Sequence, residues 1–512
     1  MPASRSSALL LGLALLAWTS PAAAGWPHDP SVNVPVCTAT GNQGSLRTMP
    51  DGAGGAFVLW TDYRTDAVNG DLYAQHLNAA GQSLWTANGV AVCTAANQQY
   101  GPQLCSDGAG GIIVTWEDLR SVSYFQVYAQ RLNASGVAQW TANGVAVAPN
   151  TTGEYLPAIA SDRSGGAVIS WFDLRTNATT SYDIYVQRLN SLGAAQWTAG
   201  GVLLCNAAGM QRDQQVAIDA SGMALVTWGD NRGATTDIYA QRVSMAGVPQ
   251  WTANGFPICS AAGAQYSPQV VNDGTGCCVI AWIDMRNGNY DLYAQRIDVS
   301  TNQAWGANGI PVVNDPASPS SFQMVSDGQG GTVYAWIDDR NYAGTAIDVY
   351  AQNLNASGTM SWGASGLQVN ALPGSQNINS LYSDGLGNTY LAWDDQRTVP
   401  AHIYAQKLNS YGSVQWAYNG TQVTSGTGGQ SWASIYGDGQ GGAVCVFSDV
   451  RGSGGTSDVY AQGIDTWGYL GAEPSLASVR DVPNDQGGQV KVSWNASPLD
   501  TDPAFYNVIH DY

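Results

Sequence analysis

The side chains able to do chemistry in this chain recur in pairs. An Asp and an Arg two positions apart follow a tryptophan in the pattern W-x-D-x-R. The pairs are Asp62 and Arg64, Asp118 and Arg120, Asp173 and Arg175, Asp230 and Arg232, Asp284 and Arg286, Asp338 and Arg340, and Asp395 and Arg397. An eighth pair, Asp449 and Arg451, follows Phe447 where the others have Trp. Opposite charges placed once per unit are expected to pair within or between units, and such pairs add specificity more than stability. The competing reading is a ring of charges that holds a charged ligand. In most copies a further Asp opens the following strand: Asp71, Asp183, Asp237, Asp291, Asp348 and Asp458.

Little else points to catalysis. His28 precedes the repeats and His510 follows them, while His76 stands where other copies have Arg and His402 where they have Asp. No Ser/His/Asp arrangement, phosphate-cradling glycine loop or zinc spacing is present. The Asp-Gly-x-Gly-Gly turns lack the alternating oxygen ligands of a calcium loop, and hairpins that need positive φ account for their glycines without metal. No catalytic residue, metal or cofactor is therefore predicted. A carboxylate pair assembled at the centre of a ring could do acid–base work, and the linear sequence would not reveal it.

The elements that must position these residues are copies of one unit. The pattern starts at Trp60, Trp116, Trp171, Trp228, Trp282, Trp336 and Trp393, with a period of 54 to 57 residues. An Asp-Gly-type turn precedes each copy and a Tyr-x-Gln strand follows it, from Tyr73 to Tyr460. A second Trp is read as closing each unit, at Trp85, Trp140, Trp197, Trp251, Trp305, Trp362, Trp416 and Trp467. Fifteen of the nineteen tryptophans thus fall in repeat slots, so the repeat is the architecture.

Each unit reads as four short strands, in the second copy 102–106, 111–118, 127–132 and 137–140. Along the second strand Ile112, Val114 and Trp116 point one way and Ile113 and Thr115 the other. A strand apolar on both faces must be covered on both. Four-stranded units sandwiched by their neighbours make an all-β, eight-bladed β-propeller, a solenoid being the other solution. The repeat's phase favours the ring. A Gly-Val-Ala-Val-like segment follows each closing Trp except the last, and its missing copy stands at Asn33–Val36. The N-terminus is expected to complete the final blade.

The W-x-D-x-R and D-x-Y-A-Q-R patterns together resemble secreted bacterial propeller repeats, over residues 33 to about 470. That resemblance implies a fold and an extracellular setting but no defined activity. Kelch repeats are not assigned, because a Trp intervenes between the Gly pair and the Tyr. Beyond the repeats, Ala477–Trp494 resembles the opening strands of a fibronectin type III domain, with Val490, Val492 and Trp494 alternating. Such a domain takes about 100 residues, so 472–512 reads as a truncated segment.

Bulk properties bound the setting. Arg5, the apolar run Leu9–Trp18 and the small residues Ala22-Ala23-Ala24 form a signal-peptide pattern over 1–24. The mature propeller then spans 25–471, secreted or at the cell surface, with no membrane span expected. A net charge of −19 argues against nucleic acid. Eight cysteines in an exported chain suggest disulfides. However, Cys37, Cys93, Cys205 and Cys259 occupy equivalent slots of different units, which leaves Cys93–Cys105 as the local pair to test.

Function is expected where the copies diverge. The turns between first and second strands and between third and fourth are stereotyped and share one face of the disc. The second-to-third loops and the inter-blade connections share the other face and vary. There the candidate ligand contacts are Tyr124, Phe125, Tyr155, Tyr266, Tyr290 and Trp432. The expectation is a noncatalytic binding or adhesion scaffold for an extracellular glycan or protein. The alternative is a glycan hydrolase or lyase with carboxylates at the propeller centre.

Overall fold

The computed structural model describes residues 25–121, 123–150, 152–176, 181–313, 319, 321–452, 455–471, 475–481 and 490–495. The expected signal peptide lies outside the described residues. Eight four-stranded antiparallel sheets form an eight-bladed β-propeller. Blade 1 is Gln43–Pro50, Ala56–Asp62, Asp71–Leu77 and Val90–Cys93, and blades 2 to 7 repeat that order. Their first strands pack against one another around the channel. Blade 8 contains Gln430–Gly437, Ala443–Asp449 and Asp458–Ile464, and takes Val34–Cys37 from the N-terminus as its outer strand. Val34 pairs with Ala461 and Pro35 with Tyr460, which closes the ring.

The second strands are buried along nearly their whole length because each has a blade on either side. Ile112, Val114 and Trp116 join the core shared with blade 1, and Ile113 joins the core shared with blade 3. With eight such interfaces, the ring has no free sheet face.

Three sequence expectations need correction. The fourth strand of blade 2 is Val145–Ala146, not 137–140, where the chain makes only a single bridge from Ala138 to Leu132. The Gln130 side chain replaces a ladder there: its Oε1 accepts from Trp140 N at 3.0 Å and its Nε2 donates to Thr141 O at 2.9 Å.

The eighth closing tryptophan is Trp26, not Trp467. In seven blades the closing Trp Nε1 donates to a turn carbonyl of the next blade, as Trp85 does to Ala134 O and Trp140 to Ser191 O. Trp26 makes the equivalent bond to Ala79 O at 2.9 Å. A Cβ on Gly463 would fall 2.3 Å from the Trp26 ring, so a side chain there would displace it. Trp467 instead sits at a turn tip, 68% exposed. The N-terminus thus supplies both the outer strand and the tryptophan lock of blade 8.

All eight cysteines are free. Cys93 and Cys105 do not pair because they lie in the cores on opposite sides of blade 2. Beyond the propeller, Ser475–Asp481 and Val490–Asn495 form an antiparallel two-stranded sheet. The rest of the expected fibronectin-like segment lies outside the described residues. Among the described residues no helix is long and apolar enough to cross a membrane.

Candidate functional site

The repeated charges build the joints between blades. In blade 2, Arg120 donates from Nε to Asp118 Oδ1 at 2.8 Å and from Nη2 to Asp118 Oδ2 at 2.6 Å. Trp116 Nε1 donates to the same carboxylate at 2.8 Å. The guanidinium lies 3.7 Å over the Tyr128 ring centre, a cation–π contact. Its Nη2 also reaches Cys93 Sγ, on the outer strand of blade 1. Ion pairs Asp62–Arg64, Asp173–Arg175, Asp230–Arg232, Asp284–Arg286, Asp338–Arg340 and Asp395–Arg397 have the same form, whereas at Asp449–Arg451 Phe447 supplies no indole and the Arg451 Nε is buried without a hydrogen-bond partner among the described residues. Carboxylate, indole, guanidinium and phenol therefore satisfy one another. Burial also pushes the neighbouring Cys93 thiol up to about 12, which keeps it protonated and unreactive.

The innermost strands are less uniform. Most begin with a buried Gln and then carry a β-bulge at the channel mouth. At the bulge the backbone enters the left-handed region: Ser45 (φ 51°), Leu156 (φ 50°), Asp213 (φ 57°), Ser267 (φ 50°) and Trp432 (φ 58°). A residue with a Cβ resists this conformation by about 1–2 kcal/mol. Bulges re-aim side chains, and strain repeated around one opening marks it as a candidate site.

A cleft of about 460 Å³ opens between the inner strands of blades 1, 6, 7 and 8. Arg47, Thr48, Gln323, Asn379, Trp432 and Ser434 line it. The Arg47 guanidinium donates to Leu46 O at 2.9 Å, and no carboxylate forms an ion pair with it among the described residues. Burial lowers its pKa, with Tyr100 of blade 2 acting in the opposite direction. Thr48 and Ser434 share a hydroxyl hydrogen bond that links blades 1 and 8. Asn379 Oδ1 accepts from Ala433 N at 3.3 Å, and Ser380 Oγ from Ile435 N at 3.1 Å. The polar wall is thus held from behind, while Trp432 stays 60% exposed at the opening.

Carboxyls whose pKa burial raises stand on or beside the inner strands of blades 2, 3, 4 and 7. Asp394 lies opposite Asn377 of the inner strand of blade 7. Burial pushes its pKa up to about 7, a hydrogen bond with Asn379 opposing the shift. Its Oδ1 is buried without a hydrogen-bond partner. The same slot in blade 2 holds Glu117, raised by burial to about 7 although it accepts from Leu156 N at 2.9 Å. Glu154 replaces the usual leading Gln of an inner strand. Burial takes it to about 8, against a hydrogen bond from Val127 N, and Asn150 Nδ2 also donates to it. Asp213 at its bulge is also raised by burial, with Arg212 3.6 Å away opposing.

The six aromatic candidates do not form one site. Phe125 meets Tyr155 edge-on with ring centres 6.0 Å apart, and Tyr155 stacks on Phe172 at 5.3 Å. Phe172 in turn stacks on Tyr182, so these rings form a row across blades 2 and 3. Tyr124 beside them is half-buried. In blade 5, Tyr266 packs on the core shared with blade 6, while Tyr290 is exposed. Trp432 alone of the six lines the channel cleft. Sequence reasoning passed over Arg47, Asn379, Glu117 and Asp394. The available signal was departure from the repeat: in W-x-D-x-R the second position is acidic only at Glu117 and Asp394. Among the described residues no group of three His, Cys, Asp or Glu converges to hold a metal.

No protein-family model matches the chain, and no curated protein matches it. Solved structures similar in outline include puromycin hydrolase, at 14% identity and a TM-score of 0.45 over 83% of this chain. The match spans 61% of that protein's length. The polysaccharide lyase Uly1 is similar at 10% identity and a TM-score of 0.41, over 75% of this chain and 93% of its own. An alpha-L-arabinanase of Penicillium chrysogenum, solved with arabinobiose, is similar at 12% identity and a TM-score of 0.34, over 61% and 93%. The functional reading rests on this chain's own residues.

Proposed function

We propose that the protein is an extracellular glycan-binding propeller whose ligand enters the channel from the face of the inter-blade connections. The observation that carries this reading is the cleft itself. It joins an exposed indole (Trp432), two side-chain amides (Asn379, Gln323), hydroxyls and a guanidinium without a carboxylate partner (Arg47). An aromatic face for the apolar side of a sugar ring, with amides for its hydroxyls, is the usual chemistry of such a pocket. Arg47 adds a preference for acidic sugars, since a guanidinium binds carboxylate or sulfate in bidentate fashion. The diverging loops with Tyr124, Phe125 and Tyr290 would extend the contact across the same face.

The test is binding of the purified protein to arrays of neutral and acidic glycans, followed by titration of the best ligand. Trp432→Ala and Arg47→Gln should each weaken binding at least tenfold, about 1.4 kcal/mol, without lowering the melting temperature. Binding that survives both changes and is lost on Tyr124→Ala, Phe125→Ala or Tyr290→Ala would move the site to the outer loops.

A second reading, cleavage of that glycan by hydrolysis or elimination, is favoured by Asp394. A carboxyl with a pKa of about 7 is half protonated at neutral pH and suits a general acid. Turnover of chromogenic glycosides or polysaccharide, abolished by Asp394→Asn while binding persists, would establish it. Saturable binding without turnover would reject it.

A further inference from the structure

The second candidate lies on the opposite face of the disc and comes from comparing blades with one another. In blades 2 to 5 the third strand carries an arginine: Arg131, Arg188, Arg242 and Arg296. Each pairs with the Asp of its own Asp-Gly-type turn, at 2.7 to 2.9 Å. In blade 2 the placement is explicit. Arg131 Nε donates to Asp107 Oδ2 at 3.0 Å, and its Nη1 reaches Ser191 O of blade 3 at 3.1 Å. That arginine fills the joint between two blades. At the equivalent joint between blades 4 and 5, where Arg242 lies, only about 10 Å³ remains.

Other blades close the same slot differently. Blade 1 uses His76, bonded to Asp51 at 3.0 Å and stacked on Phe57. Blade 8 has Gly463 there, and Trp26 covers it. Blade 7 uses Lys407, whose ammonium donates to Gly441 O at 2.6 Å, while Asn388 takes the Asp384 carboxylate. The ammonium there bonds a carbonyl of the next blade's Asp-Gly turn, not Thr466 O, which is the counterpart of Ser191 O, and leaves the carboxylate to another donor.

Blade 6 places Asn353 in the slot, and a cleft of about 660 Å³ opens towards blade 7. Its walls keep the acceptors that an arginine would use. Asp327 Oδ1 holds its own turn through Gln329 N and Gly331 N. Among the described residues its Oδ2 accepts only a 3.1 Å bond from Asn353 Nδ2. Ser410 O, the counterpart of Ser191 O, accepts from Trp362 Nε1 at 3.0 Å and, among the described residues, from no guanidinium. Trp362 lines the cleft and the exposed Tyr411 stands at its edge. An anionic acceptor, a carbonyl and aromatic surface around an open space match a planar guanidinium better than an ammonium.

We propose that the joint between blades 6 and 7 binds a guanidinium from outside, the side chain of an arginine in a partner polypeptide, in the place where four other blades carry their own. The group would donate to Asp327 Oδ2 and Ser410 O together, as Arg131 does in its own joint. The proposal is independent of the channel site, which lies on the other face.

The test is calorimetric titration of the propeller with N-acetyl-arginine-amide, with N-acetyl-lysine-amide and propylguanidine alongside. The arginine amide should bind at least tenfold more tightly than the lysine amide. If propylguanidine, which carries the same single guanidinium without peptide groups, binds more weakly than the arginine amide, the source is a polypeptide. If it binds more tightly, the site serves a small guanidine and the polypeptide is wrong. Asn353→Arg should supply the missing side chain from within and lower the affinity at least tenfold, while Asp327→Asn should do the same by removing the charge. Equal binding of the arginine and lysine amides, no binding of either, or binding unchanged in both variants would overturn the proposal. Glycan binding at the channel should be unaffected by either variant.

Discussion

The joints between blades 4 and 5 and between blades 6 and 7 are built from the same repeat and end up differently. In the first, Arg242 is buried, donates to Asp219 and Ser221, and leaves almost no space. In the second, Asn353 donates to Asp327 at 3.1 Å but is too short to fill the joint, and Asp327 is half-buried beside an open cleft. The ladders between second and third strands are alike in both blades, and in the slot they share one blade has a buried arginine and the other an asparagine. The lesson extends to the channel. The repeated Asp-Arg pairs hold the joints, and the groups on which ligand binding or turnover is proposed (Arg47, Asp394, Asp327) are those where a blade departs from the repeat or leaves its charge without a counter-ion among the described residues.

The largest expected effect tests the sealed joint. Arg242→Ala leaves Asp219 buried without its cation and should cost about 3–5 kcal/mol in denaturant unfolding. Asn353→Ala should cost far less, since its partner is already half-exposed. A loss of similar size in both would erase the distinction.

The pH dependence separates paired from unpaired carboxyls. Burial alone would raise Asp219, but hydrogen bonds from Ser221 and Arg242 outweigh it and hold the group below the usual range. Its contribution is present above the unfolded pKa of about 4 and is lost as the pH falls through the folded value. Asp394 has the opposite sign. Between pH of about 4 and 7 the unfolded chain has ionised while the folded carboxyl still holds its proton, so stability falls as pH rises through that window. Asp394→Asn should remove that fall and stabilise the protein at pH 8 by about 1–3 kcal/mol. An unchanged unfolding profile from pH 4 to 8 would show that Asp394 is not held protonated.

Asn353→Arg should stabilise the open joint by about 1 kcal/mol, read as a rise in melting temperature that Asp327→Asn in the same chain cancels. The smallest effect belongs to the channel mouth: Trp432→Ala should change stability by less than about 0.5 kcal/mol. A larger loss would mean that Trp432 serves packing rather than recognition.

Much of this protein was legible before any coordinates. The fifty-odd-residue period, the two-sided apolar second strand and the spare Asn33–Val36 segment led to eight blades and to closure by the N-terminus, because burial on both faces admits few solutions. The fourth strand and the eighth closing tryptophan were misplaced. Val137–Trp140 alternates like a strand, yet Gln130 binds it through a side chain, which no periodicity records. Trp26 stands before the first repeat, so only closing the ring brings it to Ala79 and Gly463. The site depended most on tertiary structure. Inner strands from four blades, separated by hundreds of residues, place Arg47 beside Trp432 and Asn379. Burial rather than composition raises Glu117 and Asp394, and the sequence contains the identity of each side chain but not the dielectric or the partners that the ring sets around it.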